Sequence, residues 1–210
     1  MLGPQVPIAV LSGPTFAKEV GKGLPTAMTV ASPDEAFAAE LAATLSGQNF
    51  RAYTSPDITG VEVGGAVKNV LAIACGVVDG LALGQNARAA LIARGYAEML
   101  RFGAALGARA ETLAGLCGLG DLVLTCSSPA SRNFSLGKAL GEGGDPAALM
   151  ADRRTVAEGA HTAPVLARIA AEHGIVMPIV EAVNRLLAGE PARDVVAALL
   201  ARPLRSEARS

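Results

Sequence analysis

A lone lysine lies in an otherwise uncharged helical run in the first half of the chain. In GGAVKNVLAIACGVV, residues 64–78, Lys68 is the one charged residue. At helical spacing Lys68 shares a face with Leu71 and Ala72, so its amine lies on an apolar stripe. A desolvated amine tuned by a carboxylate can accept a proton or bind an anion. The alternative is a lysine with a buried stem whose ammonium group reaches water.

Two adjacent glycines lie one turn before this lysine. Gly64 and Gly65 each cost a helix on the order of 1 kcal/mol relative to alanine. Because they carry no side chain, they let another backbone or a ligand come close to the helix. We therefore expect them to serve packing or binding.

A second stretch, GLCGLGDLVLTC at residues 115–126, supplies a carboxylate. Its one charge, Asp121, lies in glycine-rich, apolar surroundings that we predict to be a loop. An isolated carboxylate in such surroundings requires a partner. Aspartate after glycine is also common as a helix cap or turn residue, and that structural role stays open.

A third stretch, SSPASRNFSLG at residues 127–137, offers donors that suit a phosphate. Ser131, Arg132 and Asn133 bring hydroxyl, guanidinium and amide groups together at a predicted helix start. A helix terminus and a forked cation both favour an anion. The alternative is ordinary capping by Ser131 with Arg132 in solvent.

A fourth stretch, LSGPTFAKE at residues 11–19, joins a predicted strand to a helix. This order places Gly13 and Thr15 at the carboxyl end of a strand. In open α/β sheets that end faces the ligand crevice. A plain tight turn is the alternative.

The elements that must position these residues divide the chain in two. Apolar runs bounded by Gly and Pro predict strands at 7–12, 25–31 and 49–54. A capped helix from Ser32 to about Ser46 lies between the last two. Ser55 is predicted to cap the next helix, with Pro56 at its first position. From there on the predicted elements are helices, at 86–107, 131–140, 160–173, 178–188 and 191–201, and residues 203–210 are predicted to fray.

Composition excludes several classes of protein. Aromatic residues make up only 3% of the chain, so small residues must fill the core, which favours closely packed helices. A net charge of −1 argues against a nucleic-acid partner. The longest uncharged run, Met1 to Ala17, fits neither a membrane span nor a signal peptide, which predicts a soluble cytoplasmic protein. No metal site is expected, because Cys75, Cys117 and Cys126 lack ligand spacing and are predicted to be buried thiols, far from His161 and His173.

Taken together and in this order, the four stretches resemble the bacterial type of NAD(P)-dependent glycerol-3-phosphate dehydrogenase. The resemblance runs from about residue 8 to RPLRSE near the end, and GAVKNV and SRN are its specific elements. It implies a mainly α fold. Residues 56–210 would form a helical bundle similar to the C-terminal domain of 6-phosphogluconate dehydrogenase, and residues 1–55 a preceding β-α-β remnant of a Rossmann domain.

The resemblance also implies a role for each matching residue. Lys68 would be the catalytic base that exchanges a proton with C2 of sn-glycerol 3-phosphate or dihydroxyacetone phosphate. Hydride would pass to or from the nicotinamide of NAD or NADP. Asp121 would bind substrate and hold the lysine. The other implied substrate contacts are Gly13, Thr15, Asn69, Thr125, Ser131, Arg132 and Asn133, and the implied cofactor contacts are Ala17, Arg132, Val156 and Glu158.

The chain departs from the family pattern because it has no GxGxxG fingerprint. GKGLPT at residue 21 and GLGDLV at residue 118 lack the final glycine, and neither follows a suitable strand. We therefore expect the end of a nucleotide domain followed by a complete substrate domain, and the activity of this chain alone stays open.

Within that resemblance the expected enzyme is a homodimer that supplies glycerol 3-phosphate for phospholipid synthesis. One alternative is a non-catalytic helical domain that binds a phosphorylated triose or dimerises. Another is a related reductase of a different hydroxy acid. The trio Ser131, Arg132 and Asn133 argues against the reductase, because it suits a phosphorylated substrate.

Overall fold

Residues 6–151 and 157–203 are described by the structure, a computed structural model in which the chain divides into two units. The first unit comprises the chain up to Gly65 together with Phe102–Leu124. The second comprises Ala66–Arg101 and the chain from Thr125 onwards. Most described residues are helical, which confirms the predicted mainly α class. The fraying predicted for 204–210 lies outside the described residues.

The first unit contains a three-stranded sheet in the order β1-β2-β3. β2 pairs antiparallel with β1 and parallel with β3, so that Ala31 of β2 lies opposite Val10 of β1 and Ser55 of β3. The predicted strands are confirmed, although the first is only three residues long. The elements are β1 Val10–Ser12, α1 Ala17–Val20, β2 Thr26–Ala31, α2 Glu35–Leu45 and β3 Phe50–Ser55.

The β2-α2-β3 segment is a parallel crossover unit, as the sequence predicts. The Asp34 side chain accepts a hydrogen bond from Phe37 N at 3.0 Å and so caps α2. One face of the sheet packs on a small core in which Ala31, Val61 and Cys117 are buried.

The long helix α3, Ile58–Gly80, is capped by Asp57 and not by the predicted cap, Ser55. Ser55 is the last residue of β3, and its Oγ accepts from Asp57 N at 3.1 Å, before the helix begins. Asp57 Oδ1 accepts from Gly60 N at 2.8 Å, and Oδ2 accepts from Arg109 N, also at 2.8 Å. One carboxylate therefore caps both α3 and α5, Ala110–Ala114. Burial raises the pKa of Asp57, but the hydrogen bonds from Arg109 and Gly60 outweigh it and leave the pKa lowered.

The stretch predicted as a loop at residues 115–126 is helical instead. A π-helical turn, Leu116–Gly120, leads directly into α6, Asp121–Ser127. The glycines of this stretch allow close packing, since a Cβ on Gly118 would lie 1.9 Å from the carbonyl oxygen of Leu113. The prediction of a loop was wrong, because the glycines here allow close packing of helical turns.

The two glycines before Lys68 differ in their surroundings. A Cβ on Gly64 would lie 2.4 Å from the carbonyl oxygen of Cys117, so the expected close approach of another backbone is confirmed there. At Gly65 the nearest atom to such a Cβ is Ser12 Oγ at 3.6 Å, an ordinary contact distance.

The second unit is a bundle of helices. Besides α3, the bundle contains α4 Gly84–Ala105, α7 Arg132–Gly141, α8 Pro146–Ala151, α9 Glu158–Glu172, α10 Pro178–Leu187 and α11 Ala192–Leu200. α3 and α4 contribute residues to both units. α10 packs against both α9 and α11. The five helices predicted in this region are confirmed to within two residues at each end, whereas the short α8 was not predicted.

α3 and α7 approach each other backbone to backbone through two pairs of glycines four residues apart. A Cβ on Gly76 or Gly80 would lie within 2.2 Å of a backbone oxygen of α7. One on Gly137 or Gly141 would lie within 2.6 Å of a backbone oxygen of α3. Small residues at this spacing let helices pack more closely than larger side chains permit. The expectation of closely packed helices is confirmed here.

Replacing Gly137 by alanine is expected to lower the free energy of unfolding by about 1–3 kcal/mol. The new methyl group would lie 1.9 Å from the carbonyl oxygen of Ile73, so α3 and α7 would have to separate. Urea denaturation measures the loss. Gly47→Ala is the control, because no atom lies within 4 Å of a Cβ at that position. Equal effects at the two glycines would contradict the proposed close contact.

The apolar helix α3 is long enough to cross a membrane, but its position is that of a core helix. Of the most apolar 18-residue window of this helix, 72% is buried inside the protein. Cys75, Cys117 and Cys126 are all buried, as predicted. Among the described residues no group of three His, Cys, Asp or Glu side chains could hold a metal ion.

Candidate functional site

α3 places Lys68 and Asn69 next to each other near its middle. The residues that flank this pair, Val67 and Val70, are fully buried. Lys68 and Asn69 themselves are partly exposed. The lysine therefore lies where an apolar core meets an accessible surface, which suits both of the roles predicted for it.

Asn133 joins the starts of α7 and α9 to α3. Its Nδ2 donates to Asn69 Oδ1 at 3.0 Å, and its Oδ1 accepts from Gly159 N at 2.8 Å. Asn133 is only 3% exposed. Both ends of its amide are thus paired inside the protein. Three helices meet at this one side chain.

Arg132 and Glu158 form an ion pair. Each directly precedes one partner of the hydrogen bond between Asn133 and Gly159. Arg132 Nη2 lies 2.5 Å from Glu158 Oε1, and the side chains are 55% and 50% exposed. Arg132 is therefore paired, and not simply in solvent as one reading of the sequence suggested. Because both side chains are half exposed, a ligand can reach either of them.

Ser131 caps α7. Its Oγ accepts from Phe134 N at 3.3 Å, which confirms the capping role that the sequence left open. The side chain is 5% exposed. Capping uses the hydroxyl as an acceptor, so its own hydrogen remains available to donate to a phosphate oxygen.

Four predicted site residues belong to the first unit. Gly13 follows β1, where a Cβ would lie 2.9 Å from Met28 Cα. Thr15 Oγ1 donates to Gly13 O at 3.1 Å, so this segment forms the local turn that was the alternative interpretation. Ala17 begins α1 and is exposed. Asp121 begins α6 and is 2% exposed, which agrees with its alternative as a helix-start residue.

The second unit brings together four of the predicted residues, Asn69, Arg132, Asn133 and Glu158. Lys68 and Ser131 are direct chain neighbours of this group. Thr125 lies on α6 and is 5% exposed. Val156 falls outside the described residues, so its contact with cofactor stays a prediction.

Gly159 belongs to this site but could not be recognised from the sequence. A Cβ there would lie 2.5 Å from Asn69 O and 2.9 Å from Asn133 Oδ1. Its place next to Glu158 is the only signal that the sequence offered.

Two family models match the chain. The one described as NAD-dependent glycerol-3-phosphate dehydrogenase C-terminus matches residues 57–197, and the corresponding N-terminus model matches residues 1–38. The first match covers more than half of the chain. Both confirm the resemblance that the sequence motifs carry.

Curated relatives of high identity are named glycerol-3-phosphate dehydrogenase (NAD(P)+). The relative from Erythrobacter litoralis is 71% identical over 204 residues, which are 97% of this chain and 62% of the relative. The one from Novosphingobium aromaticivorans is 68% identical over 206 residues, with the same two coverages. The chain thus spans about 62% of the length of these relatives.

Solved structures with similar folds carry the same enzyme name. Glycerol-3-phosphate dehydrogenase from Coxiella burnetii superposes with a TM-score of 0.90 at 47% identity, over 94% of this chain and 61% of that one. The Saccharomyces cerevisiae enzyme superposes with a TM-score of 0.78 at 28% identity, over 90% and 58%. These similarities confirm the predicted fold class.

Proposed function

The chain belongs to the NAD-dependent glycerol-3-phosphate dehydrogenase family, and on that premise we propose that it provides the substrate-binding and proton-transfer residues of such an enzyme. The reaction is the interconversion of sn-glycerol 3-phosphate and dihydroxyacetone phosphate with NAD or NADP. The observation that carries the proposal is that α3, α7 and α9 meet at Asn133. Arg132 directly precedes Asn133 in the chain, and Lys68 directly precedes its partner Asn69.

In this proposal Lys68 takes the proton of the C2 hydroxyl when glycerol 3-phosphate is oxidised. It returns that proton to the carbonyl oxygen when dihydroxyacetone phosphate is reduced. A lysine amine suits this role because a positioned side chain can accept the proton of a hydroxyl within hydrogen-bond reach. Asn69, held by Asn133, lies next to it in the chain and orients the substrate. Asp121 and Thr125 contribute further substrate contacts by resemblance.

The substrate phosphate binds at the start of α7. Ser131, Arg132 and Asn133 there offer a hydroxyl, a guanidinium and an amide within three consecutive residues. The positive end of the helix dipole adds to their attraction for an anion. Gly13 and Thr15 stay proposed contacts, on the turn after β1.

The residues present fit one part of a dinucleotide site. Ala17 is exposed at the start of α1, and the half-exposed Arg132 and Glu158 offer charged groups to a bound molecule. With Val156, they would hold the cofactor, whose nicotinamide supplies or accepts the hydride at C2. A glycine-rich phosphate loop is not among the motifs of this chain, so these residues account for only some of the contacts.

The wider context rests on the family. We propose that the protein is a cytoplasmic homodimer and that its product, glycerol 3-phosphate, serves phospholipid synthesis. The proposed domain boundary between residues 55 and 56 lies close to the start of the C-terminal family match at residue 57.

The test is a titration of the chain with dihydroxyacetone phosphate and NADH together. Absorbance at the nicotinamide band follows oxidation, and calorimetry follows binding. The Erythrobacter litoralis relative serves as the positive control. Oxidation of NADH supports the proposed enzyme. Binding of the triose phosphate without oxidation favours the non-catalytic domain, and an absence of both overturns the proposal for this chain.

Replacing Arg132 by alanine is expected to weaken binding of glycerol 3-phosphate by about ten- to a hundredfold, because a charge-assisted bond to the phosphate is lost. Calorimetric titration measures the change. Arg168→Ala is the matched control, since Arg168 is also exposed and paired with a glutamate, Glu172. Binding of glycerol, which has no phosphate, should be unaffected. An equal loss for glycerol and glycerol 3-phosphate would contradict the role of Arg132.

A further inference from the structure

Two consecutive residues at the start of α7 contact two consecutive residues at the start of α9. The contact between Asn133 and Gly159 is a buried hydrogen bond of 2.8 Å. The contact between Arg132 and Glu158 is a half-exposed ion pair. The buried bond fixes the distance between the two helix starts, and this distance places the Glu158 carboxylate beside the Arg132 guanidinium.

The backbone at Gly159 leaves little freedom for this arrangement to relax. A Cβ at Gly159 would lie 2.5 Å from Asn69 O, so the first turn of α9 packs directly on the backbone of α3. Glu158 is the residue immediately before it. Its carboxylate therefore approaches Arg132 because of the helix packing, and not through a chance encounter of two long surface side chains.

A carboxylate and a phosphate bind a guanidinium through the same fork of N–H donors. Arg132 already donates from Nη2 to Glu158 Oε1. We propose that the Glu158 carboxylate competes with an incoming phosphate for the Arg132 guanidinium at the start of α7. This inference rests on the proposed function, because that function assigns Arg132 to the substrate phosphate.

The size of the competition follows from the exposure of the pair. Ion pairs between half-exposed side chains are worth about 0–1 kcal/mol. Removing the carboxylate is therefore expected to tighten phosphate binding by about two- to fivefold. Because salt screens exposed charges, the effect is largest at low ionic strength.

The experiment measures binding of inorganic phosphate by calorimetry at low ionic strength. Glu158→Gln keeps the shape of the side chain and is expected to bind phosphate about two- to fivefold more tightly than wild type. Glu172→Gln makes the same charge change on the same helix, where the carboxylate is 55% exposed and paired with Arg168. It is expected to leave the affinity unchanged. In an Arg132→Ala background the gain from Glu158→Gln should disappear.

Four outcomes would overturn the inference. They are no tightening in Glu158→Gln, equal tightening in the Glu172→Gln control, a gain that persists without Arg132, and no phosphate binding by either wild type or Glu158→Gln. Thermal unfolding of each variant checks that the fold is intact.

The proposed function is tested separately by comparing the affinities of wild type for glycerol 3-phosphate and for inorganic phosphate. Equal affinities would count against that function and leave the competition for Arg132 standing.

Discussion

Replacing Lys68 by alanine is expected to lower the rate of glycerol 3-phosphate oxidation by at least about a hundredfold while the fold stays intact. General acid–base catalysis by a positioned side chain contributes about 10²–10⁴-fold to a rate. No other lysine is proposed for the site, so nothing replaces the lost proton acceptor. The flanking residues Val67 and Val70 are fully buried and keep the helix in place when the amine is removed.

The measurement is kcat for NAD reduction with glycerol 3-phosphate. It is made on this chain and on the equivalent variant of the Erythrobacter litoralis relative. Lys68→Met keeps the apolar stem and should lose the same activity as Lys68→Ala. Lys22→Met, at an exposed lysine, is the matched control for charge. Activity within about threefold of wild type in either Lys68 variant would rule out the assigned base.

Local signals were enough to predict most elements of the fold. The helices α9 and α10 were found because Gly and Pro punctuation encloses their apolar periodicity. The strands β2 and β3 were found for the same kind of reason, since each is a short apolar run between turn residues. Such signals lie within a few residues of the element they define.

Distant contacts explain where these predictions failed. The start of α3 was placed at Ser55 because nothing near Asp57 shows that its carboxylate also binds Arg109 N, 52 residues further along the chain. Gly118 was assigned to a loop because its tight contact with the Leu113 carbonyl cannot be seen from glycine content. In both cases the deciding partner is set by the tertiary structure.

The functional site shows the same difference between local signals, which the sequence contains, and distant contacts, which it does not show. Residue types identified Asn133 as a polar group near a helix start, but its bond to Asn69 spans 64 residues and needs the packed bundle. The glycines of α3 and α7 were visible as pairs four residues apart, yet the sequence does not state that the two helices face each other. The chemical groups at the site could be predicted from single residues, whereas the partner that each residue contacts could not.

Glu98 is a buried carboxylate that no sequence motif singled out, and it controls the start of α10. It is 2% exposed and lies on α4. Its Oε1 accepts from Ile179 N at 2.8 Å and its Oε2 from Val180 N at 3.4 Å. Since Met177 at the helix N-cap makes no side-chain bond, Glu98 caps α10 from another helix.

Burial raises the pKa of Glu98 from 4.5 to about 7. The two backbone N–H groups and the Arg101 guanidinium lower the pKa, and the Glu181 carboxylate raises it, but desolvation outweighs the lowering. Below pH 4.5 the group is protonated in both the folded and the unfolded protein. As the pH rises from there towards 7, the unfolded protein releases this proton first, so the free energy of unfolding falls. The total loss is about 3 kcal/mol, complete above pH 7.

Replacing Glu98 by glutamine should remove this loss, because the amide oxygen still accepts from Ile179 N but carries no charge into the core. Urea denaturation at pH 5, 6, 7 and 8 should therefore show the stability of Glu98→Gln relative to wild type rising with pH, by up to about 3 kcal/mol. Glu40→Gln removes the same charge from an exposed position on α2 and corrects for the change in net charge. Glu98→Ala should destabilise the protein at every pH, because two buried N–H groups lose their acceptor. If the difference between wild type and Glu98→Gln were constant from pH 5 to 8, the carboxyl would have the same pKa in the folded and unfolded protein, and desolvation would not govern its charge.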